Sequence, residues 1–282
     1  MTLRYQIACT ALLAGALSAC GGGSSSSDSP VAVNPANPTN PTNPTLPVTP
    51  PAASGDTGSV SARFAANGNG RYLLMAVASQ STGVLTSVAQ GSSGALTEIA
   101  GSSFTGSPAI TREISGDASF AQGRWFTGTV TRAGSSTVLS GNNASTHYIA
   151  YNALASLPAS GSASCNAGVF TAPSYTGGSV IGQDAYFGTA SGAATLSFGS
   201  GGAVLNMALD VSAGGSSGKI SGGGTIPAPS NTVINGGFLG GSSGTLLALG
   251  DGGAGRYLVT GGYKVVLANG ANYQGVATFS CS

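Results

Sequence analysis

The sequence predicts an all-β fold, and its composition gives two reasons for this. Charged residues make up only 6% of the 282 residues, whereas glycine contributes 47 of them. Long amphipathic helices need charged and polar side chains on their outer faces, which this chain does not supply. Short apolar runs between Gly, Ser and Asn turns are typical of β-strands. The formal net charge of +1 also excludes the basic excess of a nucleic-acid-binding protein.

Residues 1–19 are predicted to be a signal peptide of the bacterial lipoprotein type. Arg4 gives a positive start, and residues 7–17 form an apolar run that is too short for a mature transmembrane helix. The following Leu17-Ser18-Ala19-Cys20 resembles the lipobox, which implies cleavage before Cys20 and attachment of acyl chains to it. Several acyl chains give stable anchoring, since each buried methylene contributes roughly 0.8 kcal/mol.

An ordinary secretory cleavage after Ala19, which leaves Cys20 as a thiol, is the alternative. Metabolic labelling with a fatty acid analogue separates the two. The lipobox predicts label on the parent chain and none on the Cys20→Ala variant, and equal labelling of both would exclude the anchor.

Residues 20–56 are predicted to be a linker between the anchor and the folded part. A Gly/Ser run follows Cys20, and residues 34–45 read NPANPTNPTNPT. Proline at every third position favours an extended polyproline chain and excludes a helix or a sheet, although a disordered spacer of no defined length fits as well. Gly21, in place of the Asp that retains lipoproteins at the inner membrane, indicates the outer membrane. The cell surface is the expected face, with the periplasmic face as the alternative.

Strands are predicted from residue 58 to the end of the chain. In residues 203–211, Leu205, Met207 and Leu209 alternate with polar or small residues, which is the period of a strand covered on one face. A Gly-rich hairpin at residues 200–202 precedes it. The predicted strands are 70–79, 83–90, 94–101, 123–132, 146–151, 194–199, 203–211, 231–239, 244–249, 256–260, 263–267 and 273–281. A further strand is predicted around Cys165, with Ala163, Cys165, Ala167 and Val169 on one face.

Cys165 and Cys281 remain for the folded part once Cys9 leaves with the signal peptide and Cys20 carries lipid. Both lie on the apolar side of a predicted strand, one early in the second half and one at the end of the chain. A barrel makes its first and last strands neighbours. A disulfide between them would therefore close a barrel in an oxidising compartment. Two buried free thiols are the alternative.

The chain from His147 to Ser282 resembles the barrel of the transferrin-binding protein B family. The resemblance is carried by HYIAY, LPASGSASC, ATLSFGSGGAVLNMALDV, INGGFLGGSSGTLLALG and GVATFSC. Upstream, GRWFTGTV resembles the smaller handle sheet of that family. The resemblance implies an eight-stranded antiparallel barrel at residues 156–282 and a handle-like β-sheet domain at residues 57–155. It also implies a lipid-anchored surface protein with a protein or nutrient ligand. Transferrin itself is not carried over, because this chain has very low charge and a single barrel unit.

The residues of catalytic and metal sites are sparse, and we predict no enzyme, no cofactor and no metal. His147 is the single histidine and reads as a strand residue beside Tyr148 and Tyr151. No G-x-S-x-G elbow is predicted between a strand and a helix, and the acidic residues do not cluster.

Arg124, Trp125 and Phe126 form the one candidate binding motif, because Trp and Arg are favoured at the centres of interfaces. The alternative is a Trp packed inside the small sheet with Arg124 in solvent.

Three functions remain open. The first is an outer-membrane lipoprotein that recognises a protein or nutrient through its barrel loops. The second is a lipocalin-like carrier that holds a small apolar ligand inside the barrel. The third is a structural or adhesive component of the surface. The expected partners are the membrane, through the lipid, and an unknown protein or small molecule.

Overall fold

The computed structural model describes residues 55–77, 79–179, 182 and 184–282, and over these ranges the chain is all-β, as predicted. The signal peptide, Cys20 and almost all of the linker lie outside the described residues. A 3-10 turn at Asp184–Tyr186 is the one helical element of the described ranges, which contain no helix long and apolar enough to cross a membrane.

The strands of the described chain, in order, are β1 (Gly70–Ala76), β2 (Ser79–Val84), β3 (Val88–Gln90), β4 (Leu96–Ile99), β5 (Ser102–Gly116), β6 (Phe120–Arg132), β7 (Ser135–Ser140), β8 (Thr146–Asn152), β9 (Gly161–Ser164), β10 (Val169–Phe170), β11 (Ser174–Gly178), β12 (Gly188–Gly199), β13 (Gly202–Ala213), β14 (Ser216–Ile226), β15 (Thr232–Gly236), β16 (Gly244–Gly253), β17 (Arg256–Val266) and β18 (Ala271–Cys281).

The first eight strands form one antiparallel sheet, which we call the N-terminal sheet. Its order is β2-β1-β8-β6-β5-β4-β3, and β7 also pairs with β6. One face of this sheet carries an apolar core of its own, in which Trp125 contacts Phe104 and Tyr148. The boundary predicted between residues 155 and 156 lies in the link from β8 to β9.

The remaining strands curl into an antiparallel half-barrel. A six-stranded sheet has the order β10-β18-β17-β16-β15, with β11 on β18, and a four-stranded sheet has the order β14-β13-β12-β9. In β13, buried and exposed residues alternate from Ala203 to Ala213, so the predicted period of two is confirmed. The buried face packs into the interior of the half-barrel, where the largest side chains are Tyr263, Tyr273 and Phe279.

The two cysteines lie opposite each other where the four-stranded and six-stranded sheets meet. Ser164 and Ser282 exchange both backbone hydrogen bonds, at 2.8 and 3.0 Å, and Cys165 bridges to Cys281 beside them. The pair is positioned to form a disulfide, with the Cα atoms 3.9 Å apart. This separation is shorter than the 4.4–6.8 Å usual for disulfides. The cysteines occupy a non-hydrogen-bonded pair of antiparallel chains, which is the closer of the two kinds of antiparallel pair.

The N-terminal sheet packs face to face against strands β16, β17 and β18. We call the shared layer the interface layer, and its apolar members are Leu73, Met75, Phe120, Ile149, Tyr151, Phe238, Leu246, Ala248, Leu258 and Val276. Every residue of β8 is buried, because one face of that strand meets this layer and the other meets the core of the N-terminal sheet. Strands β16 to β18 are buried on both faces in the same way over most of their length.

Polar side chains also cross the interface layer, and each of three finds a partner on the other side. Thr278 donates to Gln122 at 2.8 Å, and the amide of Gln274 donates to the carbonyl of Met75 at 3.4 Å. His147 contacts Thr171 at 2.7 Å. These bonds offset the cost of removing polar groups from water.

Glycine explains the main error in the predicted strands. The separate strands predicted at 256–260 and 263–267 are one strand, β17. Gly262 lies inside this strand rather than in a turn. Glycine is needed at that position because a Cβ would collide with the sulfur of Met75 across the interface layer. Strands β5, β7, β11 and β14 were not predicted, and the strand predicted at 83–90 is divided between β2 and β3. The strand predicted around Cys165 is divided between β9 and β10, and Cys165 lies in an isolated bridge between them.

Replacing both cysteines by serine should lower the free energy of unfolding. The two are 116 residues apart, for which the chain-entropy treatment gives roughly 4–5 kcal/mol as an upper figure. Denaturant unfolding of the oxidised parent and the double variant measures the loss. A non-reducing peptide map should contain one linked pair with Cys165 and Cys281. Two freely alkylated thiols in protein purified under non-reducing conditions would contradict the bond.

Candidate functional site

The half-barrel has an interior filled by its own side chains. Tyr263, Phe279 and Leu205 are fully buried there, and Phe279 meets the ring of Phe170 edge-on at 5.6 Å. Burial raises the pKa of the Tyr263 hydroxyl. A ligand of this half of the molecule would therefore meet its outer surface or its connections.

One end of the half-barrel exposes three large apolar side chains. Phe187 precedes β12, Leu239 lies between β15 and β16, and Val266 ends β17. The register puts Phe187 at the end of the four-stranded sheet where β14 begins, and puts Leu239 and Val266 together at one end of the six-stranded sheet. The two ends meet where the Ala268 amide donates to the carbonyl of Ser217 at 2.9 Å. The exposed fractions are 44% for Phe187, 66% for Leu239 and 39% for Val266. We call this group the apolar end.

A lysine stands beside the apolar end. Lys264 lies 5.8 Å from the centre of the Phe238 ring, and its Nζ donates to the carbonyl of Gly241 at 3.4 Å. Partial burial lowers the pKa of Lys264 from its ordinary value. An apolar group flanked by a cation is suited to contact with another macromolecule, whereas single exposed apolar residues are common on any surface. Sequence reasoning did not single out these residues, although Leu239 lies in the Gly-rich FLGGSSG connection.

Arg124 is buried and paired rather than exposed. Its guanidinium donates to both carboxylate oxygens of Glu113 at 2.8 Å, and it also contacts Asn142 and Ser145. A bidentate pair of this kind neutralises a buried cation. Arg124 is 4% exposed, so both the exposed-anchor interpretation and the alternative of a solvated Arg124 are wrong for this residue.

Trp125 lies in the core of the N-terminal sheet. Its indole nitrogen donates to the carbonyl of Leu96 at 2.6 Å, and its ring stacks on Phe104 with the centroids 5.2 Å apart. Phe126 is half-buried, with the guanidinium groups of Arg112 and Arg124 at 5.1 and 5.0 Å from its ring centre. The packed-Trp alternative therefore describes Trp125, and the three residues form no exposed binding patch.

His147 belongs to a buried polar cluster that joins the two halves of the chain. Its Nδ1 lies 2.7 Å from the Thr171 hydroxyl, and its Nε2 lies 2.9 Å from the Ser174 hydroxyl. Ser174 in turn contacts Ser145 at 2.6 Å. All four residues are buried, and a hydroxyl rather than a carboxylate faces Nδ1. The arrangement therefore joins β8 to the segment around β11 instead of presenting a nucleophile to solvent.

Metal ligands are not gathered anywhere in the described ranges, which contain no group of three or more His, Cys, Asp or Glu side chains able to hold an ion. Cys20, the predicted site of lipid attachment, lies outside those ranges.

A scan against protein-family models and searches of curated proteins and of solved structures found no match to this chain. The resemblance to the transferrin-binding protein B family therefore stays a prediction from sequence motifs.

Protonation of His147 should contribute to the pH dependence of the free energy of unfolding. Burial, and then the charge of Arg124, lower its pKa well below the ordinary 6.5. Between the two pKa values the unfolded chain binds a proton that the folded chain does not bind. The stabilising contribution is therefore complete above about pH 6.5. It falls as the pH drops below that value, by at most about 1.4 kcal/mol per pH unit.

Urea unfolding of the parent and of a His147→Gln variant from pH 5 to 8 measures this contribution to the free energy of unfolding. His147 is the only histidine, and the carboxylates are common to both proteins. The stability of the parent should decrease more steeply below pH 6.5 than that of the variant. Parallel curves would show that His147 titrates in the folded state as it does in the unfolded chain.

Proposed function

We propose that this chain is a bacterial lipoprotein that is anchored in the outer membrane through Cys20 and binds a protein ligand at the cell surface. The lipobox-like Leu17-Ser18-Ala19-Cys20, the Pro-rich linker and Gly21 support the anchor and its location. The resemblance of the second half to the transferrin-binding protein B barrel supports a binding role.

The half-barrel is proposed to close as an eight-stranded barrel. Its eight strands would be the β9–β11 segment and β12 to β18. The Cys165–Cys281 bridge supports closure on one side. On the other side, the side-chain amide of Asn235 in β15 donates to the carbonyl of Gly223 in β14 at 3.1 Å. The N-terminal sheet would then correspond to the handle of the resembling family.

The apolar end is the observation that carries the binding proposal. Its members are large exposed side chains at or beside strand ends, where a partner protein can contact them: Phe187, Leu239 and Val266. Binding sites are commonly carried by connections on a rigid scaffold. The filled interior favours a protein over the small apolar ligand of a lipocalin-like carrier, since such a ligand needs an interior space.

Substitution of the apolar end should remove ligand capture. The acylated protein, extracted from membranes and immobilised, would be exposed to host fluids and to lysate of the same bacterium. We expect the parent to retain a specific protein and the Phe187→Ser/Leu239→Ser double variant to lose at least about tenfold in affinity, because hot-spot residues each contribute about 2 kcal/mol or more. Quantitative mass spectrometry of the bound fraction gives the readout.

Val138→Ser is the matched control for that experiment. Val138 is 74% exposed, but it lies on β7 of the N-terminal sheet. Its substitution should leave capture unchanged. Equal capture by the double variant and the parent would move the binding surface elsewhere, and no specific capture by the parent would favour the structural or adhesive function.

A further inference from the structure

We propose that the N-terminal sheet holds a second binding site, a cavity for a small amphiphile with an apolar body and a carboxylate head. The cavity has a volume of about 440 Å³ and is lined by residues of β1, β2, β5, β6, β7 and β8 and of the β7–β8 connection. Small-molecule sites in proteins commonly enclose 300–1,000 Å³. The site shares no lining residue with the apolar end and does not rest on the proposed function.

The cavity exists because β6 changes its neighbour along its length. Residues 120–125 of β6 pair with β8, whereas residues 127–132 pair with β7. Gly128 follows the change, at a φ of 144°, and a Cβ there would lie 2.6 Å from the ring of Phe104. Along this edge of β6, β7 ends at Ser140 and β8 begins at Thr146, and Asn143 and Ala144 of the connection between them line the cavity.

The floor of the cavity is apolar and rigid. Trp125, Leu74 and Leu139 line it, and each of these residues is buried. The Trp125 ring is fixed by its bond to the Leu96 carbonyl and by stacking on Phe104. A preformed aromatic and aliphatic floor favours the apolar body of a ligand, because that body loses contact with water without reorganising the protein.

The rim of the cavity is polar and carries one cation. Arg132 is the only charged residue among those that line the cavity. Its Nη2 donates to the hydroxyl of Ser81 at 2.9 Å, and Ser81 also contacts the Tyr72 hydroxyl at 2.9 Å. None of the ion pairs of the described chain includes Arg132. A guanidinium held at the mouth by a neutral partner is suited to a carboxylate, which it can bind through two parallel hydrogen bonds.

The single tryptophan of the chain reports directly on this site. Dodecanoate and 1-dodecanol would be titrated into the full chain with Cys20→Ala in detergent-free buffer, while the fluorescence of Trp125 is followed. We expect a saturable change with both probes. Arg132→Gln should weaken dodecanoate binding by about tenfold or more, because a hydrogen bond to a charged group is lost, and should leave 1-dodecanol binding within about twofold.

Substitutions at two neighbouring residues of β7 provide a variant whose cavity is filled and a matched control. Thr137 lines the cavity and is exposed, so Thr137→Phe places bulk in the cavity without replacing a core residue. Val138, next to it, does not line the cavity. Thr137→Phe should abolish binding of both probes, and Val138→Phe should leave it unchanged. Lys219→Gln, at an exposed cation of the half-barrel, is the control for Arg132→Gln.

Three results would overturn the proposal. The first is the absence of saturable dodecanoate binding to the parent. The second is unchanged binding to a Thr137→Phe variant whose circular dichroism matches the parent. The third is an equal effect of Arg132→Gln on dodecanoate and 1-dodecanol, which would exclude the carboxylate head.

Discussion

Burial of the central strands on both faces is the constraint on which the rest of this structure depends. Strand β8 has one face in the core of the N-terminal sheet and the other in the interface layer, and β18 is similarly placed between the interface layer and the half-barrel interior. Such strands cannot alternate apolar with charged residues. Where two sheets approach closely these strands carry small residues, such as Gly262 opposite Met75. They also carry polar residues that find a partner across the layer.

The very low charge of the chain is consistent with this arrangement. A buried charge costs several kcal/mol unless it is paired and hydrogen-bonded. Arg124 meets that condition through Glu113, Asn142 and Ser145. At His147, burial and then the charge of Arg124 lower the pKa, which favours the uncharged form of the ring. Outside the buried strands, the exposed faces of β12 to β14 carry mainly Ser, Thr, Gly and Asn, together with the exposed ion pair of Lys219 and Asp210.

Sequence reasoning predicted the features that depend on local patterns. The alternation in β13 and the apolar side of both cysteines are local, and the structure confirms them. The continuous β17 was not predicted, because Gly261-Gly262 resembles a turn until the opposing sheet is present. The burial of Arg124 could not be predicted from its residue type, because its partner Glu113 lies on β5. That strand was not predicted, since Gly106 and Pro108 interrupt its pattern.

The two candidate binding regions were beyond sequence reasoning for a different reason. The apolar end gathers residues from connections that are 52 and 27 positions apart in sequence, Phe187 to Leu239 and Leu239 to Val266. The cavity beside Trp125 arises from a change of strand partner, which no residue pattern encodes. No residue of the apolar end or of the cavity lining is a member of the interface layer, although Leu239 directly follows Phe238, which is one.

Native-state hydrogen exchange of the backbone amides tests most directly the claim that the interface layer makes the two sheets one cooperative body. Strands β8 and β18 should open together, and their free energy of opening should be the highest in the described chain. Strands β7 and β14 are each paired on one side only, so their amides should exchange through smaller openings. Exchange of β8 through an opening that leaves β18 protected would contradict the claim, because it would show that the N-terminal sheet unfolds independently of the half-barrel.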